Sequence, residues 1–139
     1  MKSELQGLLD RVNKKTDVKF VDKEIYDTLQ KKFGYNDFRP HQRKIINTIR
    51  LKKNILVKLP TGHGKSLCYQ LPAIISEGIT IVVSPLIALM KDQIDQLKLK
   101  GIKNAAFINS TLSSDEQHFV MKKVQTGQIK ILYISRIAD

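Results

Sequence analysis

Leu59-Pro60-Thr61-Gly62-His63-Gly64-Lys65-Ser66 decides how the rest of this 139-residue chain reads. It lies between a short β-branched run, Ile55 to Leu59, and a stretch of helical period, Lys65 to Ser76. Glycines at a strand-to-helix junction let backbone N–H groups turn inward, and the helix dipole adds attraction for an anion. In that setting Lys65 would lie against the outer phosphates of a nucleotide, with Ser66 offering its hydroxyl to a magnesium ion. The general phosphate-loop pattern asks for Gly five residues before Gly64, and this chain has Leu59 there. A glycine-rich turn with an incidental lysine is the other reading of the same residues.

Outward from this bend the pattern alternates. Ile55 to Leu59, Thr80 to Val83, Ala105 to Ile108 and Ile129 to Ile134 read as strands. Lys65 to Ser76, Ile87 to Lys98 and Asp115 to Gln125 read as helices between them. Strands alternating with helices predict an α/β fold with a mostly parallel sheet. Upstream, a helix after Pro40 carries Ile45, Ile46 and Ile49 on one side and runs to about Leu51. The first thirty residues form a helical preface. Leu5, Leu8, Leu9 and Val12 recur at helical spacing, and Asp22 is placed to cap a second helix whose Ile25, Leu29 and Phe33 share a face, with Gly34 as its stop.

Composition bounds the class. Hydrophobic residues make up 42% and charged residues 27%, as in ordinary globular proteins. No apolar run approaches the roughly 20 residues that cross a bilayer, so no membrane partner is expected. The start carries Lys2, Glu4 and Asp10 with no apolar stretch behind it, and the lone Cys68 precludes an intrachain disulfide. A reducing, intracellular setting is expected, which leaves the sequon-like Asn109-Ser110-Thr111 unglycosylated. The net charge is +11. Residues 1 to 30 hold six basic and six acidic side chains, whereas Lys31 to Lys58 hold nine basic ones against Asp37 alone. Such an excess favours a polyanion through counterion release; a solvated lysine-rich surface accounts for it equally well.

Phe33-Gly34-Tyr35-Asn36-Asp37-Phe38-Arg39-Pro40-His41-Gln42 resembles the adenine-recognition segment, motif 0, of RecQ-family DNA helicases. Thr61-Gly62-His63-Gly64-Lys65-Ser66 has the Thr-Gly-x-Gly-Lys-Ser form of superfamily 2 helicases, and the stretch on to Ala73 is similar to motif I. Val83-Ser84-Pro85-Leu86-Ile87-Ala88-Leu89-Met90-Lys91-Asp92-Gln93 resembles motif Ia, and Ile108-Asn109-Ser110-Thr111 the next DNA-side segment, Ib. The resemblance runs from Phe33 to about Ile134 in the family's order. It implies that Tyr35 and Arg39 sandwich an adenine ring while Gln42 reads its edge. It also implies that Thr61 to Ser66 hold the phosphates of ATP with Mg2+, and that Ser84, Pro85, Leu86, Asn109, Ser110 and Thr111 meet DNA. The side-chain types suit these roles, since a phenol and a guanidinium both stack on a purine and an amide donates and accepts at one edge. Without the family, Tyr35 and Phe38 read as aromatic staples beside a helix start and Gln42 as a surface residue.

By the same resemblance, hydrolysis needs an Asp-Glu-x-His motif after an apolar strand. Asp115-Glu116-Gln117-His118 matches the letters, but a polar turn precedes it, and Ser113 with Glu116 forms a capping box for the next helix. The family also has Pro-Glu between a serine such as Ser135 and an arginine such as Arg136; here both are absent. His63 stands where the family commonly has glycine and is expected to face solvent. His41 and His118 lack a second ligand at useful spacing, and Cys68 reads as core.

The expected fold is a RecA-like P-loop domain, incomplete at its C-terminus, over residues 33–139, behind a helical extension over residues 1–32. The expected function is the ATP-binding N-terminal portion of a RecQ-like helicase. In the intact family that enzyme unwinds DNA 3′ to 5′ at single-strand/duplex junctions with a second motor domain, in the cytoplasm or nucleoid of bacteria or the nucleus of eukaryotes. A truncated, non-catalytic nucleotide- or DNA-binding module is the alternative. A small P-loop kinase is disfavoured, because it gives no reason for the motif Ia stretch.

Overall fold

A computed structural model describes residues 4–7, 22–60 and 64–135. Residues 4–7 are helical; Leu8, Leu9 and Val12 lie outside the described residues. The next helix, α1 (residues 22–28), runs into a wide π-turn, Leu29–Phe33, which ends at Gly34 in the left-handed region with φ 76°. The expected stop is therefore where it was read, and a left-handed residue favours glycine there. Asp22, expected to cap α1, is itself helical. Its carboxylate instead pairs with Arg43 at 2.5 Å, because that guanidinium offers an opposite charge on the next helix. The pairing holds the Arg43 pKa above its ordinary value, chiefly through the Asp22 hydrogen bond.

Six further helices and strands follow the expected alternation closely, behind α2 (Gln42–Arg50). They begin with α3 (Lys65–Ile75), β1 (Thr80–Val83) and α4 (Ile87–Leu99). Then come β2 (Ala105–Ile108), α5 (Ser114–Gln125) and β3 (Ile131–Ile134). The strands form one parallel sheet in the order β1-β3-β2, with Val82 and Phe107 both opposite Tyr133. β3 is central, and its Ile131, Leu132 and Tyr133 are all buried, as a strand covered on both faces requires.

One expected strand is absent. Residues 53–60 carry no strand structure, and Leu56 is 98% exposed. A strand is held by ladder partners, and this segment lies in register with neither outer strand of the sheet. The exposed flank of β1 is correspondingly apolar: Ile81 and Val83 are more than half exposed.

The core joins the preface to the sheet. Ile25, Leu29 and Phe33 from α1 and its π-turn share one buried cluster with Ile46 of α2, Leu71 of α3, Leu97 of α4 and Ile131 of β3. Each fully buried Leu or Ile contributes roughly 1.5–3 kcal/mol, so this cluster fixes α1, α3 and α4 around a common centre. Met90, Ile94 and Leu97 form the buried side of α4, but Leu86, which shares their helical spacing in the sequence, is 56% exposed. It is the residue before the first turn and precedes the face that packs.

Candidate functional site

After Gly34 the chain leaves the π-turn with Tyr35 half exposed, and Asp37 Oδ1 accepts from the Phe38 amide at 2.8 Å. Phe38 meets the Tyr26 ring edge-on at 5.0 Å, fastening this turn to α1. The sequence reading of Phe38 as a staple therefore describes its packing.

Gln42, the first residue of α2, is 3% exposed and reaches in two directions. Its Oε1 accepts from the Arg39 amide at 2.8 Å, and its Nε2 donates to the Gly64 carbonyl at 3.0 Å. The turn carrying Tyr35 and Arg39 is thereby tied to the residue that opens α3. A side-chain amide has two N–H groups and two lone pairs, so one donor and one acceptor are left for a base edge. A surface glutamine would make neither tie, so burial distinguishes this residue from the bland alternative.

Gly64 precedes α3 with φ 73°. A Cβ there would stand 2.3 Å from Gln42 Nε2, so both backbone conformation and close approach require glycine. No side chain caps α3, which leaves the first-turn N–H groups of Lys65, Ser66 and Leu67 available to an anion. Lys65 is exposed and Ser66 half buried. Thr61, Gly62 and His63 lie outside the described residues. Cys68 is buried with its thiol 3.7 Å from the Gly64 carbonyl, and burial pushes its pKa up.

Tyr35, Arg39, Gln42, Gly64 and Ser66 all line one cavity of about 350 Å³. The structure thus brings the clamp segment and the phosphate-loop helix to a single space of nucleotide size. Gln70, Gln93, Gln96 and Lys100 also line it, and sequence reading missed them. The signal was available: positions 93 and 96 on α4 and 100 just past its end recur at helical spacing beside the buried Ile94 and Leu97. Gln70 Nε2 donates to Gln93 Oε1 at 3.1 Å and to the Tyr133 hydroxyl at 3.2 Å. The Tyr69 and Tyr133 hydroxyls lie 3.0 Å apart. Burial, reinforced by Tyr133, pushes the Tyr69 phenol well above its ordinary range.

The DNA-side candidates sit at the C-terminal ends of the two outer strands. Ser84 continues the β1 ladder by donating its amide to the Ile134 carbonyl at 3.0 Å, while its Oγ accepts from the Leu86 amide at 3.2 Å. Pro85 and Leu86 are exposed, and α4 has no side-chain cap. Asn109 follows β2 and is buried; its Oδ1 accepts from the Thr111 amide at 2.9 Å, and its Nδ2 points at Met90 Sδ at 3.6 Å. Ser110 and Thr111 are the exposed members of that turn.

Asp115 and Glu116 occupy the first turn of α5, and the expected capping box is present, with the Ser113 hydroxyl accepting from the Glu116 amide at 3.2 Å. Among the described residues, no group of three His, Cys, Asp or Glu side chains is placed to hold a metal, and no helix is long and apolar enough to cross a membrane.

Residues 39–139 match the DEAD/DEAH box helicase family. The chain is similar to ATP-dependent DNA helicase RecQ of Haemophilus influenzae, 49% identical over 77% of this chain and 17% of that protein. It is also similar to probable ATP-dependent DNA helicase RecS of Bacillus subtilis, 44% identical over 80% of the chain and 22% of that protein. ATP-dependent DNA helicase Q1 of Mus musculus is 42% identical over 80% of the chain and 17% of its own length. The chain therefore spans about a fifth of the length of the relatives it matches. Family match and relatives agree with the parallel α/β sheet, and the chain belongs to the DEAD/DEAH box helicases, within their RecQ group.

Proposed function

We propose that this chain supplies the ATP-binding and part of the DNA-contacting surface of a RecQ-like DNA helicase. The observation that carries the reading is the Gln42 side chain, buried and bonded to both Arg39 and Gly64, which joins the turn carrying Tyr35 and Arg39 to a helix N-terminus in one cavity. In this reading Tyr35 and Arg39 stack on adenine, and the spare donor and acceptor of Gln42 meet its edge. Thr61 to Ser66 hold the phosphates, with Lys65 as the cation.

Ser66 suits a magnesium ion held mainly by phosphate oxygens and water, since no cluster of protein ligands stands among the described residues. ATP with Mg2+ supplies the driving reaction when bound; this chain's part is to bind and orient it. Ser84, Pro85 and Leu86, with Ser110 and Thr111 on the turn that Asn109 supports, contact the DNA backbone through short polar groups and free amides. Translocation 3′ to 5′ in an intracellular helicase requires a second motor domain that closes on ATP, because one domain alone has no stroke.

A second reading, nucleotide binding without hydrolysis, is favoured by one observation. Among the described residues, the only carboxylate lining the cavity is Asp37, whose Oδ1 is engaged by the Phe38 amide. Calorimetry with ATP tests the shared premise: Lys65→Ala is expected to lower affinity at least tenfold, and equal affinity in both proteins would rule out the phosphate assignment. Phosphate release on single-stranded DNA, measured on a protein in which this chain is joined to a second motor domain, then separates the readings, being present for the first and absent for the second.

A further inference from the structure

Lys100, just past the end of α4, belongs to neither the clamp turn nor the phosphate loop, yet its side chain reaches back to the clamp. Its Nζ donates to the Tyr35 hydroxyl at 3.1 Å and to the Phe33 carbonyl at 3.3 Å. The same nitrogen lies 4.4 Å from the centre of the Tyr35 ring and 5.7 Å from that of Phe33. Phe33 is buried and Tyr35 is 48% exposed. One ammonium thus touches the Phe33 carbonyl, the Tyr35 hydroxyl and the Tyr35 ring at the edge of the cavity that Tyr35 and Lys100 both line.

We propose that Lys100 is a positioning residue for the base clamp: its ammonium braces Tyr35 through the hydroxyl and the ring, so that the ring is held in one orientation ready for a purine. The proposal rests on the reading of Tyr35 as the stacking residue. Tyr35 follows Gly34 on an exposed turn, where an untethered aromatic side chain samples several rotamers. A cation against one side of the ring and a hydrogen bond to its hydroxyl select one of them. Because the lysine ends the helix that begins beside Ser84 to Leu86, it joins the base side of the cavity to the element carrying the candidate DNA contact.

Calorimetric titration of the whole chain with ATP and with inorganic triphosphate tests this. Lys100→Met, which keeps the stem and removes the charge, is expected to weaken ATP about fivefold and leave triphosphate unchanged. Lys100→Arg is expected to restore ATP affinity to within about twofold, and Lys100→Met to have no further effect in a Tyr35→Leu background. Unchanged ATP affinity in Lys100→Met would overturn the brace, as would an equal loss for ATP and triphosphate, or the same loss without Tyr35. A wild-type chain that binds triphosphate as tightly as ATP would instead remove the clamp reading, and the brace with it.

Discussion

The Gln42 side chain and the Gly64 backbone are in direct contact: Nε2 donates to the carbonyl at 3.0 Å, and a methyl group on residue 64 would stand 2.3 Å from that nitrogen. The turn carrying Tyr35 and Arg39 and the start of α3 are thus registered against each other by one amide, over a separation of 22 residues in sequence.

Gly64→Ala should be among the most damaging single-methyl changes in the chain. It places an alanine at φ 73° and displaces Gln42; the backbone conformation alone costs about 1–2 kcal/mol. ATP affinity by calorimetry is expected to fall at least about tenfold, with far-ultraviolet circular dichroism unchanged. Affinity within twofold of wild type would show that the contact does not shape the site.

Gln42→Ala removes the spare donor and acceptor and leaves the Arg39 amide and Gly64 carbonyl without their partner. The preference for ADP over GDP is expected to narrow by about tenfold, the scale of one lost bidentate contact. Competition binding measures it, and an unaltered base preference would argue that Gln42 has only the structural role.

Ser113→Ala breaks the capping box of α5, at a cost of about 1 kcal/mol. The urea midpoint should drop while the slope of the transition stays constant. ATP affinity should not move, because α5 contributes nothing to the cavity; a parallel loss of ATP binding would place α5 in the site after all.

Tyr69 gives a test in alkali. Its folded-state pKa is raised, mainly by burial and then by Tyr133. The folded form holds its proton where the unfolded form has lost it, so the contribution is fully present below pH 10 and is lost as pH rises above that value. Between pH 10 and 11 the wild type should lose at most about 1 kcal/mol more than Tyr69→Phe. Identical pH profiles in denaturant unfolding would contradict the assignment.

Much of this was legible in the chain. The strands Thr80–Val83 and Ala105–Ile108 begin and end where the β-branched runs do, and Gly34 and Ser113 mark helix ends by local chemistry that needs no tertiary context. What failed depended on partners. The run Ile55 to Leu59 has the composition of a strand, but composition does not supply a neighbouring ladder. Leu86 fits the α4 stripe by period, yet stands a residue short of the packed turns. Asp22 looked like a cap until a guanidinium from α2 reached it. The joint cavity of Tyr35, Arg39, Gln42, Gly64 and Ser66 was inferred through resemblance, whereas Gln93, Gln96 and Lys100 needed the packing of α4 to be noticed.

The wide turn at Leu29–Phe33 sets an angular phase. Each residue of a regular helix advances the side-chain direction by about 100°, and a π-turn holds one residue more per turn than that. Its surplus residue lets Phe33 point inward while Tyr35, two positions on, points out. Deleting a single residue there would regularise the coil and swing the phenol round by about a quarter-turn or more. Shortening, more than any change of side chain, is the lesion this segment is least able to absorb.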